Sequence, residues 1–489
     1  VAPIDFLRLK KTEVNYDMNV ETDLLENVTF REATTTGTGF CRFDLQKKGM
    51  LHSQSKLFLS LLSTGAAPDA FATYPLNIGV GSLIDRAVLK CGNQVLNEIS
   101  DWQFLHMIKS ALISNETKVE RELYTSGRCV SKEYDYRTGV GRTVNNHVDV
   151  AGQKLDNGCD YNTGYVGGGA VTPGDELLPP VFARVGGADP DVSPTYSIDL
   201  SDLFPFLKTY NLPLYLIDEP LSIELHWSPT IGSRLFCGGE VGSGATAQRL
   251  NINELKFAAD YIFYSADEML RYADEVNSKG LGFQFPDYRL SKFNVSSAQL
   301  QSGVVRNLGM ANRFVSRVLS VASLDYSQQN DKIDQSRTRV FGRYNAAAPE
   351  QPGGGGEVGG FKYNVRYNDR FEFPTDITNY ARAFTHFTQS ESLPFVGRRE
   401  YSNQGGTSIS QTVRMIGADQ QVSLNGTSLF LGTRLSNGRV GTRGIELHLT
   451  LGETTALVAP ANSTYVVRSY SEYMRSARLQ NGRFDIFNV

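Results

Sequence analysis

The sequence predicts an all-β protein made of antiparallel sandwiches, on three observations. Short segments alternate apolar and polar residues with a period of two, Gly, Pro and Asn turns separate them, and helical periodicity is rare. The tetrapeptide Ile-Glu-Leu-His occurs twice, from Ile223 and again from Ile445, in a chain of 489 residues. Such a length exceeds one ordinary domain and points to two or more, each able to bury its own core.

Strands are expected, in chain order, at 55–63 (SKLFLSLLS), 85–91 (DRAVLKC), 197–200 (SIDL), 214–217 (LYLI) and 255–264 (LKFAADYIFY). The second half continues the series at 313–324 (RFVSRVLSVASL), 361–367 (FKYNVRY), 428–435 (SLFLGTRL) and 463–470 (STYVVRSY). The repeated tetrapeptide sits in two further strands. Leu221, Ile223, Leu225 and Trp227 share one side of the first, opposite Ser222, Glu224 and His226. Ile445, Leu447, Leu449 and Leu451 share one side of the second, opposite Glu446, His448 and Thr450. Both read as half-buried strands with the apolar side inward and the polar side outward.

Two helices are legible. In SADEMLRYADEVNS (265–278), Ser265 followed by Glu268 has the pattern of a capping box, and Met269, Leu270, Ala273 and Val276 recur at helical spacing. Its place between two strand series marks it as a connector. In DWQFLHMIKSALIS (101–114), Asp101 is positioned to cap a stripe of Phe104, Leu105, Ile108 and Leu112. Two long irregular segments, 125–195 and 345–360, carry Gly- and Pro-rich runs inside the strand series and read as large excursions from one end of each sandwich.

Composition excludes several functions. No stretch approaches the roughly 18 uninterrupted apolar residues of a membrane helix. The five cysteines, Cys41, Cys91, Cys129, Cys159 and Cys237, are odd in number and lack CxxC spacing. They read as reduced thiols rather than a disulfide or zinc framework, which puts folding in a nuclear or cytoplasmic compartment. Net charge is −4, yet residues 281–489 hold 23 Lys+Arg against 16 Asp+Glu, leaving 25 against 36 for residues 1–280. A +7 half and a −11 half are expected to meet in an assembly, with Arg favoured for fixed contacts. No basic run supports sequence-specific nucleic-acid binding.

Catalytic signatures are missing from the sequence. It contains no GxxxxGK[ST], HExxH or GxSxG, and the glycine clusters at 167–169 and 353–356 do not lie between a strand and a helix. Glu224 with His226, and Glu446 with His448, project from one strand face and have the spacing of a metal or acid/base pair. The need for polar residues on an outward strand face accounts for them without chemistry. No catalytic, cofactor-binding or metal residue is assigned.

Other segments resemble a known lineage. In ELKFAADYIFYSADEMLRYADEVNSKGLGFQF (254–285), a strand ending Asp260, Tyr261, Ile262 leads into an acidic helix with Glu268, Tyr272 and Ala273. SIDLSDLFPFLKTYNLPLYLIDEPLSIELHWSP (197–229) reads as a Leu-Phe strand, a turn at Leu212, Pro213 and Leu214, and the strand of Ile223 and Leu225. LIDRAVLKCGNQVLNEIS (83–100) adds a strand pair around a Gly-Asn turn, and Ile445 and Leu447 belong to a final matching hairpin. Together these resemble the double jelly-roll major capsid proteins of Polinton-like viruses, virophages and nucleocytoplasmic large DNA viruses. Val276 to Gly280 stand where the large-virus proteins carry His-Glu-Tyr-Leu.

The resemblance implies two consecutive eight-stranded antiparallel jelly rolls with a short connector helix and long loop excursions. It divides the chain into an N-terminal arm (1–24), a first jelly roll (25–265), the connector (266–280) and a second jelly roll (281–489). It further implies a virion protein, assembled in the host cytoplasm or nucleus, whose homotrimers tile an icosahedral shell around double-stranded DNA. Partners would be neighbouring trimers, penton and minor capsid or cement proteins, and an internal membrane. The rival readings are a transient scaffold of the same fold and a paired-jelly-roll glycan amidase, which needs converging acids at the sandwich junction.

Overall fold

The computed structural model describes residues 18–31, 39–64, 71–75, 79–112, 121–122, 125–126, 159–161, 182–185, 195–208, 210–227, 236–238, 249–324, 362–378, 380–390, 431–436, 438–450 and 464–488. The first unit contains β1 (Asn19–Glu26), β2 (Thr29–Arg31), β3 (Gly39–Asp44), β4 (Met50–Leu51), β5 (Lys56–Thr64), β6 (Phe71–Pro75), β7 (Ile84–Cys91) and β8 (Gln94–Ser100). It continues with β9 (Cys159–Tyr161), β10 (Phe182–Val185), β11 (Thr195–Asp199), β12 (Leu212–Pro213), β13 (Leu221–Trp227), β14 (Phe236–Gly238) and β15 (Arg249–Phe263). The second unit contains β16 (Leu281–Ser296), β17 (Val304–Gly309), β18 (Val315–Leu324), β19 (Lys362–Tyr367), β20 (Arg370–Phe371), β21 (Leu431–Arg434), β22 (Ile445–Thr450), β23 (Thr464–Gln480) and β24 (Arg483–Asn488).

Each unit is a jelly roll of two facing antiparallel sheets, with short strands added to the basic set. In the first, the order β11-β5-β15-β4-β12, with β1 also paired to β15, faces β2-β3-β13-β7-β8. In the second, β16-β23-β18-β21, with β24 on β23, faces β17-β22-β19-β20. The orders repeat: β1-β15-β5-β11 becomes β16-β23-β18-β21, and β3-β13-β7-β8 becomes β17-β22-β19-β20. The two Ile-Glu-Leu-His strands, β13 and β22, therefore hold the same position in duplicated rolls.

Their apolar residues explain why. Ile223 and Leu225 stand opposite Phe43 and Cys41 on β3 and Leu89 and Ala87 on β7, and all six are buried. Ile445 and Leu447 stand opposite Tyr367 and Val365 on β19, again buried. The outward side behaves differently in the two copies. Glu446 and His448 stay partly exposed as expected, whereas Glu224 is buried beneath an ion pair to Lys90 at 2.5 Å. A central strand flanked by long charged neighbours has its polar side covered by their aliphatic stems.

Several expectations are corrected. The stretch assigned to an arm (1–24) overlaps β1, which pairs with β15 from Asn19 opposite Phe263 to Glu26 opposite Lys256; residues 1–17 lie outside the described residues. LYLI is a 3₁₀ turn, Leu214–Leu216, because Leu214 turns into the core while the Tyr215 hydroxyl donates to the Met269 carbonyl on the connector helix at 3.1 Å. The expected Leu-Phe strand is a helical turn, Leu200–Leu203, whose amides at Leu200 and Ser201 donate to the carbonyls of Ser55 and Ser53. Within the 125–195 excursion, β9 and β10 join β6 and β14 in a four-stranded sheet; most of its remainder, and all of 345–360, lie outside the described residues.

The connector runs Ala266–Lys279, but Ser265 makes no side-chain cap bond. Asp267 and Glu268 in the first turn provide the favourable charge at that helix end instead. A capping box does form at Ser296 and Gln299, on a short helix, Ser297–Ser302, that the periodicity did not show. A helix at Tyr380–Gln389 was also missed. The turn joining β23 and β24 is the pair Asn481 and Gly482, both at positive φ, as a two-residue hairpin requires. Its Gly482 carbonyl accepts the Asp218 amide at 2.9 Å, and a Cβ at Gly482 would overlap the Asp218 carboxylate.

If the apolar positions carry the repeat, Ile223→Ala and Ile445→Ala should each lower unfolding free energy by about 2–5 kcal/mol. Glu446→Gln, at a half-exposed ion pair, should change it by less than about 1 kcal/mol. Denaturant titration decides between them; a larger effect at Glu446 would contradict the assignment.

Candidate functional site: a buried seam

The two rolls meet along a seam formed by β16 and β23 of the second and β8 and the helix Trp102–Leu112 of the first. β23 is buried from Tyr465 to Glu472, more than a strand covered on one side allows. Tyr465 and Val467 lie in the core of the second roll. Tyr470, Ala477 and Leu479 belong to an apolar cluster that runs without a break into the first roll. Phe206 stacks edge-on against Phe285 at 4.5 Å, and Tyr210 bonds both backbone groups of Gln284 through its hydroxyl.

Charges are enclosed in this apolar contact. Arg468, 1% exposed at its side chain, donates through Nε to Asp101 at 2.5 Å. Its guanidinium lies 3.9 Å from the Phe104 ring centroid. Lys292 reaches the same carboxylate at 3.1 Å, and the Tyr470 hydroxyl donates to the Asp101 carbonyl at 2.8 Å. Asp101 was expected to cap the helix; it sits at φ +48° and its side chain turns to the other roll. The opposed charges of the two halves thus meet inside one chain at this point.

A second group lies alongside. Asn97 of β8 donates to Asp287 at 3.0 Å, and Asp287 also accepts from Arg475 at 2.7 Å and Tyr473 at 3.0 Å. A third group centres on Glu472, bound by Arg317 Nη2 at 2.6 Å and Nε at 2.9 Å, by Ser316 at 2.7 Å and by the Tyr288 hydroxyl. Lys109 of the first roll lies 3.9 Å from the Glu472 carboxylate and over the Tyr288 ring. Burial disfavours a charged Glu472, but Arg317 and Lys109 outweigh it and hold the carboxyl down at about 2. Burial likewise opposes ionisation of Asp101, and Arg468 and Lys292 overcome it, lowering its pKa. The same burial, with the Glu472 charge nearby, drives the Tyr288 phenol well above its ordinary range.

The residues singled out in the sequence gather in two places. Leu212 and Pro213 pair with Leu51 and Met50, which pair in turn with Tyr261 and Ile262, so both segments flank one short strand. Lys48 lies over the Tyr261 ring, and Asp260 accepts the Thr22 hydroxyl at 2.6 Å. Leu214 and Tyr272 are buried in the cluster continuous with the seam, whereas Glu268 and Ala273 are half-buried on the connector. Ile223 and Leu225 belong to that same cluster, whereas Ile445 and Leu447 lie in the separate core of the second roll. None of these contributes a charge to the seam. Its principal groups, Arg468, Asp287, Glu472 and Arg317, were not foreseen.

Among the described residues, the acids at the junction are each held by a cation, Asp101 by Arg468, Asp287 by Arg475 and Glu472 by Arg317. Among the described residues no cluster of three potential metal ligands occurs. Burial first, then Arg86, lowers the His226 pKa. Cys41 and Cys91 are free buried thiols; burial raises both, Cys91 to about 11. The side chains of Cys129, Cys159 and Cys237 lie outside the described residues.

Two rolls of one strand order, joined along a seam, define a double jelly roll. A chain of the Sputnik virophage, solved by cryo-EM, shares this fold with a TM-score of 0.54 and 10% identity, over 98% of this chain and 90% of that one. The Faustovirus major capsid protein shares it with a TM-score of 0.50 and 10% identity, over 96% of this chain and 93% of that one. No protein-family model matches the sequence, and no curated protein does. At this identity the chains have the fold in common, and it is the fold that the sequence resemblance implied.

Breaking the central pair strands a buried charge. Asp101→Ala should cost about 3–5 kcal/mol, and adding Arg468→Met should recover much of it. Both acids have depressed folded-state pKa values, so their contribution is complete above the unfolded value and lost as pH falls. For Glu472 that window runs from 4.5 down to about 2. Acid titration of unfolding free energy should show a loss in this range that Glu472→Gln flattens.

Proposed function

We propose that this chain is a major capsid protein, a structural and non-catalytic subunit. It assembles as a homotrimer of pseudo-hexagonal outline, and trimers tile the icosahedral shell of a double-stranded DNA virus. One observation carries the reading: a duplicated roll is fused into a rigid block by a buried, charge-pinned seam, in a fold shared with the Faustovirus major capsid protein. Three such chains present six similar modules, and a six-module outline tiles a surface. The apolar residues of the Leu212 to Leu214 turn and of the Asp260 to Ala273 junction then serve the fold, not a ligand.

In this reading the chain resides in the virion capsid. Its partners are neighbouring trimers and penton and minor or cement proteins; assembly takes place in the host cytoplasm or nucleus. The purified chain should have three times its 54.0 kDa mass by light scattering, and electron micrographs should show particles of near-hexagonal outline. A chain that remains monomeric at high concentration would sink the proposal.

A further inference from the structure

The last strand of the chain has an open side. β24 pairs with β23 from Arg483 opposite Gln480 to Asn488 opposite Arg475. The two-residue turn at Asn481 and Gly482 makes Gln480 and Arg483 a hydrogen-bonded pair, and such pairs alternate with unbonded ones along an antiparallel ladder. The backbone groups of Phe484, Ile486 and Asn488 therefore point away from β23, and among the described residues no strand pairs with them.

The first roll shows what fills this place. There β4 takes the position of β24 beside the end of the central strand β15, and its far edge is covered by β12, with Leu212 opposite Leu51 and Pro213 opposite Met50. The second roll has no such strand among its described residues. After β21 the chain follows β18 instead, the Leu435 amide donating to the Ser316 carbonyl and the Val315 amide to the Gly438 carbonyl. An open edge is where an added strand binds, and the side chains beside it select the strand. Phe484 is buried and Ile486 half-buried against the seam cluster, whereas Arg483, Asp485 and Phe487 face out, with Phe487 53% exposed. No ion pair among the described residues engages Asp485.

Residues 1–17 lie outside the described residues, and their sequence matches this edge. With Asp5-Phe6-Leu7-Arg8-Leu9 antiparallel to β24 and Leu9 opposite Phe484, Leu7 falls beside Ile486 on the apolar side. On the outer side Arg8 then meets Asp485 and Phe6 meets Phe487. A shift of one residue exchanges the two faces. A shift of two sets Arg8 against Arg483 or brings Lys11 beside Phe484. Pairing stops at Leu9, because Lys10 would meet Arg483.

Reach and direction agree. β1 begins opposite Phe263, at the start of the connector helix, and the β24 turn lies at the helix's other end, where Arg478 and Gln480 bond the carbonyls of Lys279 and Asn277. The 14-residue helix is about 21 Å long. Residues 10–17, when extended, span about 26 Å. A segment arriving from the turn end runs antiparallel to β24. We propose that residues 5–9 add to the outer edge of β24 in their own chain, a strap that ties the start of the chain to its last strand and closes the open sheet edge. It forms within one chain, whatever the oligomer.

Residues 8 and 485 would form an unbonded ladder pair, the closer kind and one that a disulfide can bridge. Arg8→Cys combined with Asp485→Cys should therefore link on mild oxidation, at the mass of a single chain on a non-reducing gel and at the expected peptides by mass mapping. Leu7→Cys with Asp485→Cys, whose side chains lie on opposite faces, should not link. Failure of the first pair, or equal linking of both, would overturn the register. A link found only between two chains would overturn the assignment to the same chain. Hydrogen exchange checks the strap without new cysteines. The Phe484 and Ile486 amides should be protected in the full chain and lose that protection when residues 1–11 are deleted, while the β23 amides stay protected. Unchanged exchange at Phe484 and Ile486 after the deletion would overturn the strap.

Discussion

Everything in this molecule depends on a strand that is buried on both sides. β23 gives Tyr465 and Val467 to the core of its own roll and Arg468 and Tyr470 to the neighbouring one. A strand in that position cannot expose a guanidinium to water. The charge must find a carboxylate in place, and Asp101 provides it from the other roll. Buried pairs of this kind add little net stability, since desolvation offsets the attraction, but they penalise every arrangement that separates the partners. The apolar cluster holds the rolls together, and the ion pairs fix their register.

This division of labour explains why the duplicated rolls are not identical. Their cores follow one pattern, with Ile/Leu stripes at β13 and β22 and matching strand orders. Their flanks diverge by position. The helix after β8 is packed between rolls, with Trp102, Phe104, Leu105, Met107 and Ile108 all buried. The helix after β20 keeps Arg382, Thr385 and Gln389 toward the outside. The two rolls share a strand order, and their flanks differ with what covers them.

The legible part of the fold was the part with an unbroken apolar stripe. Strands β5, β7, β18 and β19 announced themselves by composition or alternation, as did β13 and β22, and the Gly-Asn turn at 92–93 was read where it lies. β23 was recognised only to Tyr470, because beyond it Ser471, Glu472 and Arg475 break the apolar pattern. Glu472 and Arg475 turn inward to pair with Arg317 and Asp287, which no local window reveals. Asp101 shows the same limit. Standing before an apolar helical stripe, it had every local mark of a cap, while its actual partner lies 367 positions away. The motif residues around Leu212 and Tyr261 were found by resemblance, and only the pairing through Met50 and Leu51 shows why they go together.

That separation has a kinetic side. The first roll leaves the ribosome with Asp101 and the apolar face of Trp102–Leu112 already made and nothing to cover them. At about 5–20 residues per second, Arg468 follows on the order of 20–70 seconds later. Throughout that interval the nascent chain carries an uncovered apolar surface and an acid without its arginine. The seam that joins the two rolls therefore closes only after most of the chain has been made.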